Sequence, residues 1–377
     1  MKKSLYISLV LSSFLNADLL DSIKTDGYIR LGVQTHKVEN DKTYKSDAIG
    51  GKLHFESEKY HDISFGGAIY TTNRLSHHDK EGVPFFADDG SSYTMLGEAY
   101  LKTDLSYNTI MIGRQVLDTP FADSDDIGMI PNTFEAVTLI NKAFKDTTVV
   151  LSVVNKWSGV DAPKPQKWTK LQNNKAVTVF GVNYSGFKDW DINGWYYELS
   201  AKNPDDLKDI SYLDATYSKD IGTISYELGL QYVKQAYKEN SDAKIYGATV
   251  SADFKNGLTL NLAYNKSKNH SASNGFGGGP YYINCEHITL AEVGKDGSGK
   301  EIGLDIDMSN YGVKGLSFSY EKLYIKDKDN KKAYDTDYIL SYDIRKNLNL
   351  TAIYSKTDDY INDDKFKNLR VFMEYGF

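Results

Sequence analysis

Apolar and polar residues alternate one by one through most of this chain. In GLTLNLAYN, Leu258, Leu260, Leu262 and Tyr264 share one side, while Thr259, Asn261, Ala263 and Asn265 share the other. In GTISYELGLQY, Ile224, Tyr226, Leu228, Leu230 and Tyr232 oppose Ser225, Glu227, Gly229 and Gln231. LNLTAIYS, KGLSFSYEK and DYILSYDI repeat the device. A period of two predicts β-strands, because successive side chains point to opposite faces. Counting such segments gives about 18, an even number as a closed bacterial membrane barrel requires.

Two all-β architectures share this pattern. In a sandwich the apolar face is buried against a second sheet. In a membrane barrel it meets lipid, and the polar face lines a lumen. The polar faces here are small and mostly uncharged, and tyrosines recur at the ends of the apolar sets, as at Tyr232, Tyr264 and Tyr354. Recurrent terminal tyrosines fit an interfacial aromatic girdle. Tight connections near residues 220–222, 256–257 and 346–347 alternate with long polar ones at 76–92, 155–174, 266–300 and 356–365. That asymmetry is expected of an outer-membrane barrel. The segment LRVFMEYGF puts Leu369, Val371, Met373, Tyr375 and Phe377 on one face, opposite Arg370, Phe372, Glu374 and Gly376. A closed barrel must pair its last strand with its first. Tyr375 and Phe377 also resemble the terminal signature read by the barrel-assembly machinery. The expected fold is therefore an all-β transmembrane antiparallel β-barrel of about 18 strands.

Composition agrees. There are 29 tyrosines and only 7 prolines, which favours strands over disorder. Mean hydropathy is −0.47. Beyond the first residues no apolar run approaches the ~18 needed for a spanning helix, a test that does not bear on barrels. MKKSLYISLVLSSFLNADLL has basic Lys2 and Lys3, an apolar stretch and a small residue at Ala17. This is the layout of a signal peptide, expected over residues 1–17 with cleavage after about Ala17 and export to the outer membrane. Residues 18–377 then form a single barrel domain. The one cysteine, Cys285, permits no internal disulfide. A formal charge of −7 and five scattered arginines argue against nucleic acid.

Enzyme chemistry finds little support. GKDGSGKE at residues 294–301 nearly spells a phosphate-binding loop, but Glu301 stands where a magnesium-binding hydroxyl is needed. His77, His78 and Asp79 adjoin on a loop. Cys285, Glu286 and His287 offer metal-ligand types without a spaced partner pair. His54 and His61 have no serine pattern beside them. No catalytic residue, cofactor or metal is assigned.

The alternation stops at GRQVLDTPFADSDDIGMIPNTFEA, residues 113–136. A wide lumen needs narrowing, and a loop folded inward sets charge where a low-dielectric surround strengthens its field. Asp118, Asp123, Asp125, Asp126 and Glu135 are the candidate acidic groups of such a constriction, with Pro120 and Pro131 stiffening the segment. Here the chain resembles the OprD family of outer-membrane porins, including ε-proteobacterial relatives. The resemblance lies in GRQ at 113–115, TPF at 119–121, DD at 125–126 and MIPNTFEA at 129–136. GGGPYYINCEHITL at 277–290 looks like the family's second inward loop. The resemblance implies an 18-stranded barrel, monomeric or trimeric, that passes small water-soluble molecules, often carboxylates, by diffusion. It also implies a ladder of basic lumen residues. Candidates are Arg30 and Arg370, on polar faces, and Arg114, which alternation places beside Ile110 and Ile112. Gly128 stands where relatives often carry arginine. Few arginines beside an acidic loop point instead toward cations. The expected function is passive diffusion of small hydrophilic solutes and ions, possible examples being amino acids or small carboxylates. The competing readings are a surface adhesin or structural barrel, or a lipid hydrolase.

Overall fold

The alternating segments pair edge to edge, each antiparallel to its neighbour, because consecutive strands joined by short turns meet that way at least entropic cost. The computed structural model describes residues 23–377; the expected signal peptide lies outside the described residues. The first strands are β1 (Lys24–Val38), β2 (Thr43–Glu56), β3 (Ile63–His78), β4 (Tyr93–Leu105), β5 (Asn108–Gln115) and β6 (Thr133–Asn141). Next come β7 (Thr147–Ser158), β8 (Thr169–Lys170), β9 (Val177–Tyr184), β10 (Trp190–Glu198), β11 (Leu207–Ile221), β12 (Ile224–Tyr237) and β13 (Ala243–Asp253). The rest are β14 (Leu258–Lys268), β15 (Ser298–Asp307), β16 (Leu316–Lys326), β17 (Lys332–Arg345), β18 (Leu348–Asp359) and β19 (Asp364–Gly376). Two single turns of 3-10 helix, Leu290–Val293 and Met308–Tyr311, are the helical elements described.

The sheet closes. β1 pairs with β2 on one side and with β19 on the other, in register from Tyr28↔Gly376 to Val38↔Phe366. Gly27 and Phe377 exchange backbone hydrogen bonds at 3.0 and 3.1 Å, so the ladder runs to Phe377. The two-residue β8 only caps the end of β7, which pairs onward with β9. The barrel thus has 18 strands and one short extra, as alternation predicts.

The apolar face is outside. Ile29, Val33, Leu101, Leu230 and Leu262 are exposed, Leu230 at 62%. Left in water, such a belt would cost roughly 25 cal/mol per Å²; lipid removes that cost. Outward Tyr232 and Tyr246 lie with ring centres 5.3 Å apart toward one end, Trp190 and Tyr217 5.2 Å apart toward the other, both pairs tilted. These are the two interfacial girdles of a barrel in a bilayer.

One long loop anticipated from the sequence is absent. Of residues 356–365, β18 and β19 take all but 360–363. Here the strands rise beyond the lipid belt, so their outward residues are polar too and read as loop. The genuinely long connections at this end are 79–92, 116–132, 159–176 and 269–297.

The lumen is not uniformly polar. Val154, Val177, Val179, Ile210, Val233 and Ile245 point inward and are buried with Phe121, Phe134, Trp157, Tyr281, Ile283 and Leu290 in one apolar cluster. Loops 116–132 and 269–297 have folded into the barrel and packed on its inner wall. A second cluster seats Phe85 and Phe86 of loop 79–92 with Met129 of loop 116–132 against Ala48, Ala68 and Tyr70.

Candidate functional site

Three loops meet inside the barrel, and specific contacts hold them. Thr119 and Ala122 bond each other across Pro120, forming a tight turn. Phe276 N–H donates to Phe121 O at 2.9 Å, and Asp123 N–H donates to Phe276 O at 3.2 Å. Loops 116–132 and 269–297 are therefore joined by a short parallel bridge at Ala122 and Phe276. Loop 79–92 is tied to the wall by Gln34, which accepts from Val83 N–H at 3.0 Å, and by Thr72, which donates to Phe85 O at 2.9 Å. The wall makes room by omission. A Cβ on Gly32 would lie 2.7 Å from Met129 Sδ, so glycine there lets the loop approach.

Two arginines clamp the acidic loop. Arg30, on the inward face of β1, grips both Asp126 oxygens at 2.7 and 2.8 Å, Glu374 at 2.6 Å and the Gly128 carbonyl at 2.7 Å. Fully buried Arg370 on β19 donates to Ile127 O at 3.1 Å and pairs with Glu286 of the second loop. Both loops therefore hang on the inner face near the barrel's closing seam.

The remaining loop acids form a chain. Asp118 is exposed and accepts from Ser124 at 2.8 Å. Burial first, then Asp118, raises the Asp123 carboxyl. Asn132 binds Asp161 of the next loop at 2.6 Å through its amide nitrogen, and Asp161 N–H returns a bond at 3.0 Å. Asp125 faces Asp161. Burial, then the Asp161 carboxylate, then Asp123 push Asp125 up to about 7, while Arg370 pulls it down. Asp161 is raised chiefly by burial. The pair shares a proton at mildly acidic pH. Because the folded state binds that proton more tightly than an ordinary carboxylate would, the loop loses stability as pH rises through about 7. Closures and current noise should therefore increase from mildly acidic to mildly alkaline pH. In Asp161→Asn the step should vanish; an identical pH response in single-channel traces of that variant would refute the pairing.

Two anticipated site residues lie elsewhere. Glu135 and Arg114 are cross-strand partners with the outward parity of Val137 and Ile112. Glu135 binds Asn155 at 2.6 Å and Lys156 at 3.3 Å, and Arg114 lies 4.6 Å over the Trp168 ring. Both belong to the outer rim. The β-bulge at Asn155 on the neighbouring strand leaves their outward parity intact. Asp126 is inside, but its charge is spent on Arg30.

A different acidic surface faces the lumen. Glu301 on β15, Glu321 on β16, and Asp335 and Asp337 on β17 share the inward face, with Glu321 directly opposite Asp337. Asp335 and Asp337 are fully buried. Backbone N–H groups of the second loop sit on them: Asn284 to Glu301 at 2.7 Å, Glu286 to Asp337 at 2.9 Å and His287 to Asp335 at 3.1 Å. None of the four joins an ion pair among the described residues. The buried inward arginines near the seam are paired, Arg30 with Asp126 and Glu374 and Arg370 with Glu286, and farther along the wall Lys52 meets Glu98 at 3.0 Å and Lys102 meets Glu56 at 3.4 Å. Glu301, Glu321, Asp335 and Asp337 thus stand without a cationic partner among the described residues, while Arg30 and Arg370 have theirs.

The sequence profile for outer membrane porins of the OprD family matches residues 71–377. The chain belongs to the OprD family. OpdK of Pseudomonas aeruginosa, solved with vanillate, superposes with a TM-score of 0.81 at 18% identity, covering 95% of this chain and 99% of that one. OccAB4 of Acinetobacter baumannii gives 0.82 at 18% identity, covering 94% and 98%. A BenF-like porin from Pseudomonas fluorescens Pf-5 gives 0.80 at 17% identity, covering 95% and 99%. No curated protein sequence is matched significantly.

This OprD-family chain is an outer-membrane porin, a passive channel for small hydrophilic molecules rather than an enzyme. His54, weighed for hydrolysis, is held between Asp26 at 2.7 Å and Tyr100 at 3.1 Å. Nothing favours the adhesin reading. Of the residues singled out in the sequence, Arg30, Arg370, Asp123, Asp125 and Asp126 meet at the docked loops. Asn132, Asp161 and the four wall acids complete the site; of these the sequence drew notice only to Glu301, and only as the residue that spoils a phosphate-binding loop.

Proposed function

We propose that this porin prefers cationic and zwitterionic solutes over anions. The four carboxyl groups on β15–β17 that lack an ion-pair partner among the described residues, beside two buried arginines that already have partners, are the observation behind this reading. A carboxylate solute needs free positive groups in the lumen; vanillate, bound in the OpdK structure, is such a solute. Here the two buried inward arginines, Arg30 and Arg370, are already engaged. A positive solute meets a low-dielectric wall of one sign, where fields are focused. In liposomes containing the porin, lysine should permeate about tenfold faster than glutamate, at the low end of charge steering in lined clefts. Equal swelling rates, or faster glutamate, would overturn the preference.

The permeation path lies within one chain, so the reading serves a monomer and a homotrimer alike. Export through residues 1–17, with cleavage after about Ala17, belongs to the same proposal. So does recognition of Tyr375 and Phe377 by the barrel-assembly machinery; both are exposed on the outer face of the strand that closes the barrel, where a folding factor can reach them.

A further inference from the structure

The second inward loop brings a thiol to the acidic wall. Cys285 Sγ, a Glu321 carboxylate oxygen and an Asp337 carboxylate oxygen all lie within 4.8 Å of one another. Cys285 and Asp337 are buried, Asp337 completely. Asp337 Oδ2 accepts from Glu286 N–H, whereas Oδ1 has no well-formed hydrogen bond and the carboxyl meets only the Ser355 hydroxyl and the Cys285 thiol besides. A fully buried carboxylate met only by such weak neutral donors is stabilised when a cation joins it. Glu321 adds a second negative group directly across the strand pair, an arrangement that repels without a cation between. No lysine or arginine fills that role among the described residues.

We propose that Cys285, Glu321 and Asp337 bind a divalent transition-metal ion of the zinc class. One thiolate and two carboxylates make a mixed sulfur and oxygen donor set. Sulfur disfavours calcium and magnesium, which take oxygen donors, and suits zinc. Three protein ligands leave a fourth position for water. Glu321, the partly exposed member, gives the ion a route in from the lumen. On binding, the Cys285 S–H bond breaks, sulfur keeps the electron pair for the metal, and the proton passes to water. The sequence alone shows no such site, because the ligands that accompany Cys285 come from β16 and β17 through the fold of the loop. A bound ion would pin the second loop to the wall and remove part of its negative charge.

The test uses the full folded chain in detergent, stripped with a chelator and titrated with cobalt as a spectroscopic stand-in for zinc. One ion per chain should bind, with a thiolate-to-cobalt charge-transfer band that zinc displaces. Cys285→Ser should abolish the band, and Glu321→Gln and Asp337→Asn should each weaken binding by at least about tenfold. A His77→Ala, His78→Ala double variant should bind as the wild type does. Heat-modifiable migration on gels shows that each barrel is folded; should one ligand variant fail to fold, the other two still decide. No charge-transfer band in the wild type would overturn the proposal. So would binding that survives Cys285→Ser or disappears with the histidines. The readout is optical, so its failure would leave the charge preference of the open pore untouched.

Discussion

Converting Glu301, Glu321, Asp335 and Asp337 to their amides should abolish most of the cation preference, lowering the cation-to-anion permeability ratio by about tenfold in chelated buffer. The amides keep the shape of the wall. Their oxygens can still accept from the backbone N–H groups of Asn284, Glu286 and His287. What disappears is charge in a low-dielectric setting, where each group acts most strongly. The barrel should hold or gain thermal stability, because the Glu321 and Asp337 charges oppose each other across adjacent strands. By contrast, amides at Asp118 and Asp126 should change selectivity little: the first is exposed to solvent screening, and the second is already neutralised by Arg30. An unchanged reversal potential in the wall variant would remove these four residues from the selectivity mechanism.

Arg30→Met should free the acidic loop. Methionine keeps an apolar stem but leaves Asp126, Glu374 and the Gly128 carbonyl without their shared donor. Losing these charge-assisted bonds costs about 1–2 kcal/mol, because the side chains of Asp126 and Glu374 are partly exposed and rehydrate. The loss falls on loop 116–132, because the barrel ladder does not depend on Arg30's side chain. Single-channel conductance should rise and fluctuate, and protease should cut within 116–132 while the barrel stays intact. Arg30→Lys should not restore the wild-type trace, because one ammonium cannot grip two carboxylates and a carbonyl in a fixed fork. Wild-type conductance and protease resistance in Arg30→Met would show that Arg370 and the apolar cluster suffice to dock the loop.

The barrel was legible because lipid imposes a period of two on nearly every strand. Arg30 and Arg370 were placed correctly for the same reason: parity alone sends them inward. Alternation also puts Arg114 beside outward Ile110 and Ile112, but the GRQ resemblance makes it a candidate for the lumen, and Glu135 is counted in the constriction because it closes the acidic segment. Asp335 and Asp337 stand two apart on a polar strand face, so their shared direction was readable. Their meeting with Glu321 was not, because depth in the barrel depends on strand register, and register is set across strands distant in sequence. The docked loops were suggested by resemblance, yet their seat was hidden. Inward Val177, Val179, Val233 and Ile245 break the polar-lumen expectation, and only a loop packed on them explains it. Asn132 and Asp161 were invisible for a similar reason. Each is an ordinary polar loop residue until the fold brings them to 2.6 Å.

The most direct test is the zero-current potential of the refolded wild-type porin in a planar bilayer under a potassium chloride gradient, with chelator present. The account predicts discrete openings with a reversal potential of the sign set by potassium, shrinking toward zero in the four-amide wall variant. A reversal potential of the sign set by chloride in the wild type would contradict it, and would mean that Arg30 and Arg370 attract anions despite their carboxylate partners.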